Sequence, residues 1–422
     1  MKGSVSALAA LAQQTNMLCH GLATELGCTS LKAMNDDPTV LLTARGQELL
    51  ARLAVDDGRS ALALATSLRR EYPAALVATA TAQHELRLAA RAKFARAMEM
   101  LFTRAGYEQS SSETIARYRA GRFGDTSRVA DLCCGIGGDL LALAAEREVL
   151  AVDLDEMHAR LARYNAGVYG AAAKVRAVVA DVRDLTLAGL DGVFIDPARR
   201  AGDHRFRAGV SQPPLDWCFA LPARVPAVCV KAAPGLPAEL IKPGWEAEFI
   251  ADGRDLKEAV LWSPALASAA RRATIMPGGD TLTAVPGDQV PLAEPGEYLL
   301  DPNPAVTRAG LVEDLARTLG AGAGAAAKID PRIAFLTLDS EARTPFARTL
   351  RILYSAPWNE KQFAKRLRDL GVGAADIRRR GLAGDVDQIR RRLKLVGPNR
   401  ATIVITRVND KPWGLICEDL AA

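Results

Sequence analysis

From Leu8 to about Phe102 apolar residues recur at intervals of three and four among Ala, Leu, Arg and Glu, with interruptions at Pro38 and Pro73. That period predicts a helical N-terminal region of several helices. After the polar stretch from Gly106 to Ser112 the pattern changes to short apolar runs alternating with helical stretches. Strands are predicted at Arg128–Cys133, Val149–Asp153, Val175–Ala180, Gly192–Ile195 and Ala227–Lys231, with helices at Asp139–Arg147 and Glu156–Tyr169. Such alternation predicts right-handed βαβ units and a doubly wound, largely parallel sheet. Trp245–Ile250, Ala259–Trp262 and Arg272–Ile275 are expected to complete it with antiparallel edge strands. Pro277–Pro304 is dense in Pro and Gly and reads as irregular chain or short strands, followed by a helix at Ala309–Leu319. The low-complexity run Gly320–Ala327 reads as a flexible connection. Beyond it, Thr349–Tyr354, Asp376–Arg379 and Ala401–Val408 (strands) with Glu360–Leu370 and Asp385–Leu393 (helices) outline a small α+β module.

Composition narrows the setting. A chain of 422 residues, 49% hydrophobic and 24% charged, has the profile of a globular protein of two or three domains. It holds no run of 18 apolar residues and therefore no membrane-spanning helix. The N-terminus lacks an uninterrupted apolar segment with a cleavage site, so the expected compartment is the cytoplasm. Seven cysteines, scattered and without a CxxC pair, and four histidines predict neither a disulfide framework nor a metal site. The net charge of +5 is small, but it is unevenly held: residues 343–400 carry 15 Lys and Arg against five acids, a local +10.

The segment Val129-Ala130-Asp131-Leu132-Cys133-Cys134-Gly135-Ile136-Gly137-Gly138-Asp139 reads as a strand ending in a glycine loop that opens a helix. Glycines there let the backbone approach a nucleotide-like ligand. A dinucleotide fingerprint would need a third glycine where Leu140 stands. Asp131 would repel a pyrophosphate yet attract a cationic sulfonium ligand bearing an ammonium group. Asp153, closing the second strand, suits ribose hydroxyls. Asp181, after the third, suits an adenine amino group, and Asp196 ends the fourth. Any one of these acids alone reads equally as a turn or cap residue; the run of them with the glycine loop points to a cofactor edge.

Residues 107–235 resemble a class I S-adenosylmethionine-dependent methyltransferase. Ile115–Tyr118, Asp131–Gly138 and Ala162–Ala166 are similar to trimethylguanosine synthase and its bacterial relatives. The whole chain resembles a bacterial methyltransferase group with Ser-Ser-Glu ahead of the glycine loop, Asp-Pro-Ala-Arg-Arg after the fourth strand and a C-terminal THUMP-like domain. The matches here are Ser111-Ser112-Glu113, Asp196–Arg200 and a basic tail with Arg378-Arg379-Arg380. The resemblance implies a doubly wound, seven-stranded Rossmann-like sheet with an N-terminal helical region (1–106), a methyltransferase domain (107–276), a connecting region (277–342) and a basic THUMP-like α+β domain (343–422). It implies S-adenosylmethionine as cofactor, held by Ser111, Thr114, Asp131, Cys133, Gly135, Gly137, Gly138, Asp153, Leu154, Asp181, Val182 and Asp196. Asp196, Pro197 and Lys231 are the expected catalytic residues, and Arg199, Arg200, Arg378, Arg379 and Arg380 the expected substrate contacts. The implied substrate is RNA gripped by the C-terminal module, with no metal and no membrane.

Local alternatives stand beside these expectations. Ser111–Glu113 also reads as a helix cap, Lys231 as a solvated strand end, and Arg199 and Arg200 as surface partners of Asp203. Asp196-Pro197-Ala198-Arg199 lacks the aromatic ring that stacks on a base in base-amine methyltransferases, and it also resembles the motif of uracil C5 methyltransferases, which use a cysteine nucleophile. Cys229 lies in the fifth strand, where burial is the commoner fate. His204 reads as an incidental surface histidine. A small-molecule methyltransferase and a non-catalytic RNA-binding protein are the competing functions.

Overall fold

The computed structural model describes residues 37–55, 61–198, 200–201, 204–205, 210–320 and 326–420. The part of the N-terminal helical expectation before residue 37, together with Arg199 and most of the Gly/Ala run, lies outside the described residues. The chain divides into two compact units, Met1–Thr186 and Leu187–Ala422.

In the first unit, helices Ala44–Ala54, Ala61–Leu68 and Ala74–Ala90 bury Leu49, Leu50, Leu53, Leu68, Val77 and Ala80. Thr43 caps the first of them by accepting from the Gly46 amide. Arg87, buried in the third, donates to the carbonyls of Met100 (2.7 Å) and Glu99 (3.0 Å), which fixes the turn-rich segment leading to Phe102. Short helices Arg104–Gln109 and Glu113–Gly121 precede a parallel sheet of β1 (Arg128–Leu132), β2 (Glu148–Asp153) and β3 (Val175–Val179), with β2 between the others. The register sets Val129 opposite Val149 and Val149 opposite Val175. The helix after the glycine loop is confined to Leu140–Leu143, shorter than the predicted Asp139–Arg147. Arg147 turns inward there and donates to Thr126 Oγ1 (3.0 Å) and the Gly124 carbonyl (2.8 Å). Helix Glu156–Val168 follows β2 as predicted.

The second unit holds β4 (Gly192–Ile195), the short ribbon of β5 (Arg200–Ala201) and β6 (His204–Arg205), then β7 (Ala227–Ala232), β8 (Glu246–Asp252), β9 (Asp255–Trp262), β10 (Arg271–Met276) and β11 (Asp280–Thr283). β4 and β7 are parallel, and β9 is antiparallel to both β7 and β8. β10 runs parallel to β8, not antiparallel as expected. The chain leaving β9 turns back and takes the free edge of β8, so it opposes β9 and matches β8 in direction. A seven-stranded second sheet follows the order β13 (Ala327–Lys328), β14 (Leu336–Leu338), β12 (Tyr298–Pro302), β15 (Ala347–Pro357), β18 (Lys411–Asp419), β17 (Asn399–Val408), β16 (Val372–Arg379). Helices Glu360–Asp369 and Val386–Leu393 pack Phe363, Leu367 and Leu393 against Ile377, Ile403 and Ile416 of this sheet. The predicted helix at Ala309–Leu319 is two, Pro304–Ala309 and Val312–Gly320, because Gly310 takes a left-handed φ of +71° and closes the first. The architecture is mixed α/β, with N-terminal helices, parallel-rich strands and a C-terminal sheet domain, as expected. Among the described residues no helix is long and apolar enough to cross a membrane.

Candidate active site

In the first unit the glycine loop leaves β1 and turns on two hydrogen bonds, Cys134 amide to Val152 carbonyl (3.0 Å) and Gly137 amide to Cys134 carbonyl (2.9 Å). Cys133, half-buried, adopts φ +61°, a left-handed conformation that a non-glycine residue takes at a cost. Gly137 at φ +90° stands so close to helix Glu156–Val168 that a Cβ there would lie 3.2 Å from Ala162 Cα. By contrast no atom lies within 4 Å of a Cβ built on Gly135. The loop therefore presses its Gly137 side against the helix and leaves room at Gly135. Burial pushes the Cys134 thiol well above its ordinary value, with the Asp131 charge acting in the same direction.

Acids stand along these strands. Asp131 is buried within β1, opposite Ala151. Asp153 closes β2; its Oδ2 accepts from the Gly135 amide (2.8 Å) and its Oδ1 from the Asp155 amide (3.0 Å), tying the loop to the strand end. Burial works to raise the Asp153 carboxyl, but the neighbouring His158 imidazole and hydrogen bonds from the Asp155 and Gly135 amides outweigh it and hold the group below the usual range. His158 Nδ1 lies 3.6 Å from Asp153 Oδ1 and 3.9 Å from Asp155 Oδ2. The Asp153 carboxylate beside it raises the imidazole pKa against the opposing effect of burial. Leu154 is 71% exposed beside Asp153. Asp181, just past β3, shares its carboxylate with the Arg183 guanidinium (2.5 Å at closest), which lowers it to about 2, and Val182 is buried behind it.

Before the loop, Ser111 is buried and Thr114 exposed on helix Glu113–Gly121. Ser112 occupies the N-cap position, but its side chain makes no capping bond. Glu113 Oε2 instead accepts from the Ala95 amide (2.8 Å) and Tyr169 hydroxyl (3.0 Å), so this acid fastens chain segments together. Asn165, fully buried, accepts from the Leu101 amide (2.9 Å) and donates to the carbonyls of Leu101 (3.0 Å) and Ile136 (2.9 Å). The N-terminal helical region is thereby bonded to the glycine loop. Arg119, also buried, donates to Ser111 Oγ (2.8 Å) and pairs with Asp139 at the loop exit.

In the second unit Asp196 follows β4 and Lys231 lies in β7. The parallel register pairs Ile195 with Val230 and so brings the next two residues together, Lys231 Nζ 2.6 Å from Asp196 Oδ2. The Lys231 side chain is 4% exposed and that of Asp196 25%, so Lys231 is a buried ion-pair partner and not a solvated strand end. Pro197 is buried. Cys229 is fully buried in the same strand. Arg200 and His204 belong to the ribbon of β5 and β6. Arg378 pairs with Asp376 (2.9 Å), Arg379 donates to the Leu382 carbonyl (2.8 Å), and Arg380 pairs with buried Asp301 (2.9 Å) while lying 4.7 Å over the Phe335 ring.

Arg119, His158 and Arg183 were not among the residues singled out by sequence, and Asn165 entered only as part of the Ala162–Ala166 resemblance, without a role. Two carry a legible signal: Arg119 shares a helical face with Ile115, Ala116 and Ala120, and Asn165 one with Leu161 and Ala162. A polar residue in an apolar stripe marks a buried hydrogen-bonding role.

A strand, a glycine turn against a helix and acids after successive strands are the parts of a methyltransferase domain. Two Mycobacterium tuberculosis proteins, from strains CDC 1551 and H37Rv, each described as an uncharacterized S-adenosylmethionine-dependent methyltransferase, are 36% identical to this chain over 321 residues, 74% of this chain and 85% of theirs. The chain belongs to their family, the S-adenosylmethionine-dependent methyltransferases, and its cofactor is S-adenosylmethionine. Residues 126–202 match a family described as RNA cap guanine-N2 methyltransferase, residues 347–419 one described as THUMP domain-like, and residues 35–90 a domain of unknown function. The fold is also that of a Porphyromonas gingivalis W83 protein, a candidate methyltransferase, with a TM-score of 0.71 at 21% identity, over 89% of this chain and 99% of that one.

Proposed function

We propose that this methyltransferase modifies a base of a structured cytoplasmic RNA, such as a tRNA or rRNA, at an exocyclic amine. The observation that carries this reading is the concentration of exposed cations on the C-terminal sheet domain. Lys361, Lys365, Arg368, Arg391, Arg392 and Lys394 all stand exposed on or beside its two helices, where they suit a phosphate backbone. The matches to an RNA cap methyltransferase family and to a THUMP-like family support the same substrate class. In this reading residues 1–106 are a helical support, 107–276 the catalytic domain, 277–342 a connection and 343–422 the RNA-gripping domain.

The room at Gly135 fits a ligand drawn close to the backbone. Asp131 supplies negative charge toward a cationic donor, and Asp153 accepts from ribose hydroxyls with the lone pairs its two amide bonds leave. Ser111, Thr114, Cys133, Gly137, Gly138, Leu154 and Val182 complete the cradle, and Asp181 takes the adenine amino group once Arg183 yields one of its oxygens. S-adenosylmethionine supplies an already activated methyl group, so the protein's task is mainly to position donor and acceptor. Asp196, steadied by Lys231 at Oδ2, presents Oδ1 to an acceptor N–H, helps to orient the amine and receives its proton; Pro197 holds the following turn. Arg199 and Arg200, with Arg378, Arg379 and Arg380, contact RNA phosphates.

Nucleoside mass spectrometry of RNA from a deletion strain tests the reading. One methylated nucleoside should disappear and return when the purified full-length enzyme and S-adenosylmethionine are added to that RNA. Asp196→Ala should lower the rate of return about a hundredfold or more. An unchanged nucleoside profile would favour a small-molecule acceptor.

A further inference from the structure

Arg119 is among the largest fully buried side chains of the described residues, and it forms an ion pair with Asp139. The same nitrogen, Nη2, also donates to Ser111 Oγ at 2.8 Å. Ser111 lies eight residues before Arg119 in the turn that opens helix Glu113–Gly121, and Asp139 ends the glycine loop. The chain segments that carry the two partners also lie close together: a Cβ on Gly138 would stand 3.1 Å from Ser110 Cβ and 3.8 Å from the Ser111 nitrogen. The other end of the turn is held by Lys93, whose ammonium donates to the carbonyls of Tyr107 (2.6 Å), Glu108 (3.3 Å) and Ser110 (2.9 Å). The Ser110–Ser111 turn is thus seated on the exit of the glycine loop and pinned at both ends.

A buried ion pair is a poor way to gain stability, since apolar residues of similar volume serve as well or better. Its distinctive contribution is register, because a buried guanidinium nitrogen that donates to two partners holds both in place. We infer that Arg119 is a positioning residue for the cofactor: it sets the Ser110–Ser111 turn against the glycine loop, so that the turn closes the cradle and slows release of the bound ligand. This rests on placing the cofactor at the glycine loop.

S-adenosylhomocysteine binding to the full-length protein, by calorimetry and stopped-flow, tests it. The double variant Arg119→Leu/Asp139→Leu should melt, without ligand, within a few degrees of the parent. It should release S-adenosylhomocysteine about tenfold faster, with association and binding stoichiometry unchanged, the equivalent of one lost ordering hydrogen bond. Ser111→Ala removes only the hydroxyl and should speed release by about threefold or more. Parent-like release from a folded double variant overturns the inference, as does parent-like release from Ser111→Ala should the double variant fail to fold. Asp153→Asn separates the two levels: if it too binds like the parent, the placement of the cofactor is wrong, whereas weakened binding there with parent-like Arg119 and Ser111 variants condemns the positioning role alone.

Discussion

Asn165 shows how one side chain can stabilise a site without touching the chemistry. Its three hydrogen bonds satisfy two backbone groups of Leu101 and the carbonyl of Ile136 inside the core. Asn165→Ala leaves all three orphaned and should cost at least about 3 kcal/mol in urea unfolding, because each buried unsatisfied group costs about 1–3 kcal/mol. His158 makes a second case. Its folded-state value is raised by Asp153, so its contribution is complete below its unfolded value and is lost as pH rises through the folded one. Asp153, held low, contributes above its unfolded value and loses that contribution as pH falls through its folded one. The stability difference between the parent and His158→Ala should therefore shrink as pH rises above the ordinary histidine value of about 6.5, measured by denaturant titration; a difference that stays flat as pH rises would remove the pair from the account. Asp131, Asp153, Asp181 and Asp196 were legible because each follows an apolar run in a strand–helix alternation. The Lys231–Asp196 pair was not, because only the register of β4 on β7 brings together residues 35 apart in sequence.

Among the elements, the glycine loop carries the tightest constraint. Gly137 combines φ +90° with backbone 3.2 Å from where its Cβ would be, so Gly137→Ala meets both strain and a clash with Ala162. It should destabilise the protein by about 1–3 kcal/mol and abolish measurable S-adenosylhomocysteine binding in the surviving folded fraction. Unimpaired binding would show that the helix can move aside. Strands β1–β4 and β7–β10 were readable because they are apolar and separated by turn residues, and in the C-terminal sheet so were β15, β16 and β17, whereas β13 and β14 were missed. β18 was overlooked, although Asn409 and Asp410, at φ +47° and +65°, form the two-residue turn that such a pair favours and join it to β17. The direction of β10 was not readable, since alternation reports which residues face the core and not which neighbour a strand takes.

For the molecule as a whole, the charge of +5 conceals an uneven distribution, with a local +10 in residues 343–400. The boundary of the C-terminal domain was the hardest feature to read. Sequence composition breaks near residue 343 and the THUMP-like match begins at 347. Yet the first five residues of β15, Ala347–Arg351, pair with β12, which lies upstream at Tyr298–Pro302. β12 in turn pairs with β14, and its Asp301 carboxylate takes Arg380 from one side and Arg254, in the β8–β9 turn, from the other (2.9 and 2.7 Å). A fragment beginning at residue 343 should be insoluble or poorly folded by circular dichroism, because β15 would keep β18 on one side but its first five residues would lose β12 on the other and expose an edge. A fragment beginning near residue 285, which keeps β12–β14, should fold. Equal behaviour of the two would mean that β12 is dispensable. For protein engineering this moves the seam: a substrate-recognition cassette exchanged between relatives should be cut ahead of Tyr298 and should travel with a matching Arg254, since a graft made at the compositional break would leave a carboxylate and half a sheet behind in the recipient.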